Sequence, residues 1–169
     1  GRAMIDYTRG GGGSGATNVD YTRNILQGMQ IKEEEGKISL YQPLVDFYTE
    51  QVTTNGIKDD AQIDVTDEMM DAAAAAADTA VVTIGRYSSE GSDRSATKGD
   101  YYLSDAEEEL ITRVAAKFDK VIVVLNVGAV TDTSWINAIE GVDAVLVGWQ
   151  AGMEGGLATA DVLVGDVNP

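Results

Sequence analysis

A glutamate flanked by small residues, in a polar stretch that follows a short apolar run, is the residue of this sequence best suited to acid–base chemistry. The stretch reads Arg86-Tyr87-Ser88-Ser89-Glu90-Gly91-Ser92-Asp93-Arg94 and continues through Lys98-Gly99-Asp100 to Leu103. With Ser89 and Gly91 beside it, the Glu90 carboxyl can be approached closely by a ligand. A carboxyl group serves as a general acid at neutral pH only when a dry pocket or a second carboxylate raises its pKa. Arg86 and Arg94, themselves candidate substrate contacts, oppose that rise unless they pair with Asp93 and leave Glu90 free. The plainer reading of the same residues is a solvated charged loop. Its length, about 18 residues, exceeds the usual connection in an α/β unit, and long loops are often functional.

Other chemistries are narrowed by what the chain lacks. There is no histidine, so no Ser-His-Asp arrangement exists within it, and no cysteine, so disulfides, thiolate zinc sites and cysteine nucleophiles are excluded. Acid–base work falls to Asp, Glu, Lys or Tyr. A second carboxylate of interest, Glu154, lies in Trp149-Gln150-Ala151-Gly152-Met153-Glu154-Gly155-Gly156. If Glu90 and Glu154 converged they would form an acid/base pair. The alternative is that Glu154 stabilises the start of a helix. Trp149 and Trp135 offer rings for stacking on a sugar, although large aromatics near strand ends are usually core. The run Gly10 to Gly13, followed by Ser14 and Gly15, is either a spacer or a loop whose bare backbone and Ser14 hydroxyl approach a ligand. It lacks the Lys-Ser/Thr of a phosphate-binding loop, and no clear strand precedes it, which argues against a nucleotide site. The acidic residues match no EF-hand or histidine-bearing ligand set, so no metal or other cofactor is expected.

Twenty-eight acidic and 12 basic residues give a formal charge of −16. That surface repels phosphate backbones and anionic lipid, making nucleic acid and membrane poor partners, but it does not penalise an uncharged ligand such as a sugar. No apolar run approaches the roughly 18 residues of a membrane helix. No secretory signal pattern opens the sequence, and the lack of cysteine fits a cytoplasmic location better than a secreted one. Gly1 to Met4 could be a cloning remnant.

The elements that must position these residues follow from periodicity. A short helix is expected over Thr22–Met29, stopping near Gly36, then a strand over Lys37–Tyr41 and a helical piece near Leu44–Gln51. Thr66 is a good N-cap for a helix carrying Ala72 to Ala77. Ser104 and Glu107 have capping-box spacing, and Ala106, Leu110, Ile111, Val114, Ala115 and Phe118 trace one helical face beyond them. Thr131–Ile139 reads as a short helix around Trp135, and Leu157–Val164 as the last helix. Three runs, Ala80–Ile84, Lys120–Asn126 and Asp143–Trp149, are apolar throughout, the pattern of parallel strands covered on both faces. Alternation with helices predicts one three-layer αβα sandwich over residues 1–169, with a mostly parallel sheet. In such folds ligands bind beyond the carboxyl ends of the strands, which singles out the loops Arg86–Leu103, Asn126–Asp132 and Gln150–Gly156.

Taken together, these motifs resemble a known family. Arg86 to Arg94 with Lys98-Gly99-Asp100-Tyr101-Tyr102-Leu103-Ser104 resembles the acid/base loop of family 3 glycoside hydrolases of the β-glucosidase type. Val121–Thr133 (VIVVLNVGAVTDT) is similar to the next strand and turn, and WQAGMEGG with Ala160–Pro169 (ADVLVGDVNP) to the closing signature. The early GGGGSG is similar to the family's glycine-rich loop. The resemblance spans nearly the whole chain, least at 37–66, and rests on several motifs in order. It implies an αβα sandwich that works beside a catalytic barrel domain absent from this chain. It implies a retaining β-glycosidase acting on a β-glucoside or oligosaccharide. Glu90 corresponds to the general acid/base, Ser14 to a serine placed near the sugar, and the nucleophilic aspartate belongs to the barrel. A glycine is common just before the acid/base glutamate; here it is Ser89. A non-catalytic carbohydrate-binding or scaffold domain of the same fold is the alternative.

Overall fold

Valine and isoleucine suit a pleated surface packed on both sides, and the three runs rich in them form the sheet. In the computed structural model, which describes every residue except Gly15, the strands are β1 (Thr79–Arg86), β2 (Lys120–Val127) and β3 (Ala144–Val147). They lie in the order β1-β2-β3, all parallel, with Val82 opposite Val123 and Val124 opposite Leu146. Side chains alternate between the faces. Val82, Ile84, Val121, Val123, Leu125 and Val127 join one core cluster, and Val124 belongs to the other.

Helices cover both faces. The first is packed by α2 (Gln42–Thr49) with its π-helical continuation Glu50–Thr54, by α3 (Asp67–Ala76) and by α4 (Asp105–Ala115). These bring Val52, Met70, Ile111 and Val114 onto the sheet, with Trp135 at the far end. On the second face α1 (Ile25–Glu34) and α5 (Gly155–Leu163) set Ile25, Met29 and Ala160 around Val124. The result is an αβα sandwich. Among the described residues no helix is long and apolar enough to cross a membrane.

The helix starts are built as the sequence suggests. Thr66 Oγ1 accepts from the amide of Met69 at 3.3 Å. Ser104 Oγ accepts from the amide of Glu107 at 3.2 Å while the Glu107 carboxylate accepts from the amide of Ser104 at 2.8 Å, a complete capping box. The first helix begins later than expected, at Ile25, because Asn24 and Gln27 form a second capping box. Lys32, only 5% exposed, bridges α1 and α5 through Asp161 at 2.6 Å, Glu35 at 3.0 Å and Asp166 at 3.1 Å. Those carboxylates, Asp161 first, hold its ammonium well above the ordinary lysine range.

Three expectations are corrected. Residues 37–41 form no strand: the amide of Lys37 bonds to the Lys32 carbonyl and that of Leu40 to the Glu33 carboxylate, so the backbone serves α1 and not the sheet. Ile38 and Leu40 still pack into the second core, which is why the segment looks like a strand. The expected helix over 131–139 shrinks to a single 3-10 turn, Ser134–Asn137. The third strand is shorter than Asp143–Trp149 and lies at the sheet edge, with Val147 39% exposed rather than covered on both faces. Gly1 to Met4 packs onto the domain: Ala3 is fully buried, Thr83 Oγ1 donates to the Gly1 carbonyl at 2.7 Å, and Arg2 N donates to Asp60 at 2.8 Å.

Candidate active site

The three expected loops emerge side by side from the carboxyl ends of β1, β2 and β3. The first is anchored at its root by Arg86, the last residue of β1 and 8% exposed. Its guanidinium forks onto the Glu107 carboxylate, Nη1 to Oε1 at 2.6 Å and Nη2 to Oε2 at 2.5 Å. Nη1 also donates to the Gly85 carbonyl at 2.8 Å, Nη2 to that of Tyr102 at 3.4 Å and Nε to that of Asp100 at 3.0 Å. A guanidinium has five N–H donors, and all five are spent inside the protein. Arg86 therefore has none left for a substrate, and its expected contact role becomes a structural one. Glu107 carries both this ion pair and the capping box, which welds the loop root to the start of α4.

Farther along, Arg94 pairs with Asp100 at 2.7 Å, not with Asp93, and also donates to the Tyr87 carbonyl. Asp100 accepts from the amide and the hydroxyl of Ser95 at 2.8 and 2.7 Å. These bonds, the amide first, hold the Asp100 carboxyl below the usual carboxylate range despite partial burial, with Arg94 and Arg86 assisting. The loop is thus tied to itself by these bonds, although residues 90–93 and 95–99 are exposed.

Glu90 projects from the tip of this loop and is exposed. Its partners come from the glycine run. Ser14 donates to Glu90 Oε2 from its amide at 3.3 Å and from its hydroxyl at 3.2 Å. One step earlier the amide of Gly12 donates to Ser89 Oγ at 2.9 Å. Ser89, the departure from the family pattern, thus supplies a tie between the two loops. Gly13 has φ +73°, and a Cβ there would lie 2.5 Å from Glu90 Oε2. The positive φ calls for glycine, and any side chain there would push the Glu90 carboxylate aside. The glycine run is therefore held against the loop after β1 and is not a free spacer.

Glu154 is engaged elsewhere. Its carboxylate accepts from the Tyr21 hydroxyl and from Arg23, with the Arg23 guanidinium 5.7 Å from the centre of the Tyr21 ring. The Tyr21 bond, then Arg23, holds its carboxyl below the ordinary range. It occupies the N-cap position of α5 but makes no side-chain cap bond, so its work is to tie the entry of α1 to that of α5. Glu90 and Glu154 share no partner and do not form an acid/base pair. Trp135 is core, 7% exposed, with its indole N–H donating to the Asp132 carbonyl at 3.0 Å. Trp149 is 53% exposed. Among the described residues no three His, Cys, Asp or Glu side chains are grouped to hold a metal ion.

Two residues that residue-type reasoning passes over hold the loops together. Gln150 bonds to both backbone groups of Ser88, and Asn126 to both backbone groups of Thr8. The one available signal was their placement, a carboxamide directly after a buried run in β2 and another directly after Trp149.

An exposed carboxyl group at the carboxyl end of a parallel sheet, reached by a glycine-rich loop, can give and take a proton. It cannot by itself carry out a displacement that needs a second carboxylate. The chain belongs to the family described as Glycosyl hydrolase family 3 C-terminal domain, which matches residues 1–169. It is similar to beta-glucosidase A of Butyrivibrio fibrisolvens, 37% identical over 199 aligned residues, covering 100% of this chain and 23% of the relative. A beta-glucosidase of Ruminococcus albus is 34% identical, with 100% and 18% covered. Among solved structures, beta-glucosidase 3B of Thermotoga neapolitana in complex with α-D-glucose superposes with a TM-score of 0.86 at 34% identity, over 100% of this chain and 25% of that one. A beta-glucosidase of Paenibacillus barengoltzii gives 0.89 at 37%, over 99% and 19%. The chain thus spans about a quarter or less of the length of these relatives.

Proposed function

We propose that this domain supplies the general acid/base of a retaining β-glucosidase, and that Glu90 is that group. The observation that carries the reading is the exposed Glu90 carboxylate at the loop tip, touched by the Ser14 amide and hydroxyl. Membership of the family and relatives named beta-glucosidases support it. In the reaction a carboxylate of a separate barrel domain attacks the anomeric carbon while Glu90 protonates the departing oxygen. Glu90 then takes a proton from the water that releases the sugar from the covalent intermediate. Retaining enzymes hold two such carboxyl groups about 5–5.5 Å apart, so the open side of Glu90 is the side the barrel must face. Ser14 is placed to exchange its bond to Glu90 for one to a sugar hydroxyl.

With the nucleophile on another domain, this chain alone is expected to give no turnover of p-nitrophenyl β-glucoside. In the full-length enzyme Glu90→Gln should lower the rate by about 10²–10⁴-fold, the usual share of general acid–base catalysis. Azide, which needs no general base to attack the glycosyl intermediate, should restore turnover of an activated substrate. Activity of the chain alone that disappears in Glu90→Gln would overturn the half-site reading. A full-length Glu90→Gln enzyme with unimpaired kcat/KM on an alkyl β-glucoside, whose aglycone needs a proton to depart, would overturn the acid/base assignment and favour a binding or scaffold role.

A further inference from the structure

Two carboxamides that never touch Glu90 fix the two loops that meet there. Asn126 is the next-to-last residue of β2 and is 1% exposed. Its Oδ1 accepts from the amide of Thr8 at 2.7 Å, and its Nδ2 donates to the Thr8 carbonyl at 2.9 Å and to the Trp149 carbonyl at 2.7 Å. Gln150 repeats the device one residue after Trp149. Its Oε1 accepts from the amide of Ser88 at 2.8 Å, and its Nε2 donates to the Ser88 carbonyl at 3.1 Å. A carboxamide offers a donor and an acceptor side by side, as a neighbouring strand does. Paired with both groups of one residue, it sets that residue's position and its direction.

The placement of the two residues gives the device its meaning. Ser88 lies between Arg86, whose guanidinium is locked, and Glu90, which is exposed. Past the end of β1 the backbone of Ser88 has no strand partner, and Gln150 takes that place. Thr8 stands just ahead of the glycine run that reaches Glu90 from the other side. Gly128 leaves the room this needs: a Cβ there would lie 2.3 Å from Gln150 Oε1 and 2.4 Å from its Cδ. Alanine at that position evicts the Gln150 side chain without altering it.

We propose that Gln150 is a positioning residue for Glu90, aligning its loop for proton transfer, with Asn126 holding the glycine loop in the same frame. This rests on the assignment of Glu90 as the acid/base group. Misplacing a catalytic group by about 1 Å can cost on the order of a hundredfold in rate, and the Ser88 clamp sets the position of a carboxyl two residues away.

The test is the dependence of kcat/KM on the leaving group in the full-length enzyme. An alkyl β-glucoside needs a proton as its aglycone departs, and 2,4-dinitrophenyl β-glucoside does not. Glu90→Gln provides the reference, a loss confined to the alkyl substrate. Gln150→Ala and Gly128→Ala should each lose roughly 10- to 100-fold on the alkyl substrate and less than about threefold on the dinitrophenyl one. The double variant should be no worse than either single one, because both remove the same clamp. In the isolated domain, amide hydrogen exchange at Ser88 should quicken by at least about tenfold in both variants while the helices keep their protection. Equal losses on the two substrates, or no loss, beside a selective loss in Glu90→Gln would refute the role of Gln150 and leave Glu90 in place. No selective loss in Glu90→Gln would remove the Glu90 assignment and this proposal with it. Should Gln150→Ala fail to fold, Gly128→Ala, which keeps every native side chain, decides the matter.

Discussion

The root and the tip of the loop after β1 are built on opposite terms. At the root, Arg86 and Glu107 are both buried, joined by two bonds, and every guanidinium donor is satisfied. At the tip, Glu90 is exposed and held only by longer bonds from Ser14. A buried ion pair adds little net stability over a well-packed apolar pair, but it fixes geometry, and breaking it is costly. An exposed carboxylate on weak bonds can be released to a substrate at little cost. The loop is held rigidly at its root, and Glu90 at its tip is held lightly.

Substitutions at the two ends test that contrast. Glu107→Ala strands a buried guanidinium and opens the capping box, so a loss of about 3–5 kcal/mol is expected in chemical denaturation. The companion Arg86→Met, which removes charge and keeps volume, strands only the carboxylate and helps separate the ion pair from the cap. Acidification should produce a graded effect. The Asp100, Glu154 and Asp166 carboxyls are held below their ordinary values, by Ser95, Tyr21 and Lys37 foremost. Their contribution is present above the unfolded carboxylate range near pH 4 and is lost as pH falls through the lower folded values. Thermal midpoints should therefore hold between about pH 7 and 5 and fall steeply toward pH 3. Ser104→Ala removes the cap hydroxyl and leaves the ion pair, with an expected cost of about 1 kcal/mol. Glu90→Gln should shift stability by no more than about 0.5 kcal/mol, as for other exposed positions away from tight networks. A large loss there would show that the tip is structural after all.

What the sequence discloses follows the range of the interactions involved. The helix caps at Thr66 and Ser104 are written in residues three apart, and both are present. Apolar runs of strand length disclose β1 and β2 for the same reason. The segment 37–41 misleads because its apolar residues are buried by α1 and α5, and nothing local distinguishes a core-packed extended segment from a strand. Trp149 holds its backbone at φ 53°, where glycine is at ease, which helps to end β3 earlier than its hydrophobicity suggests. Within the site, Glu90 stands out by its neighbours and Ser14 by the glycines before it. The partner of Arg86 does not, because Glu107 lies 21 residues away and already had a visible local task. Asn126 and Gln150 were hidden more thoroughly. A carboxamide has no charge, no pKa and no characteristic spacing, and its role appears only when the backbone it grips is in view.

The sequence separations of those grips bear on how the site comes into being. Thr8 meets Asn126 across 118 residues, Glu90 meets Ser14 across 76, and Ser88 meets Gln150 across 62. Closing loops of that size costs entropy that is recovered only once the strands between them are paired. The capping boxes are complete within one turn of helix, but the site is assembled from both ends of the chain and the middle. No fragment that stops short of Gln150 can hold both Thr8 and Ser88 in place. During synthesis this edge of the domain, at the carboxyl ends of the strands, is accordingly an arrangement that waits until Gln150 has been made.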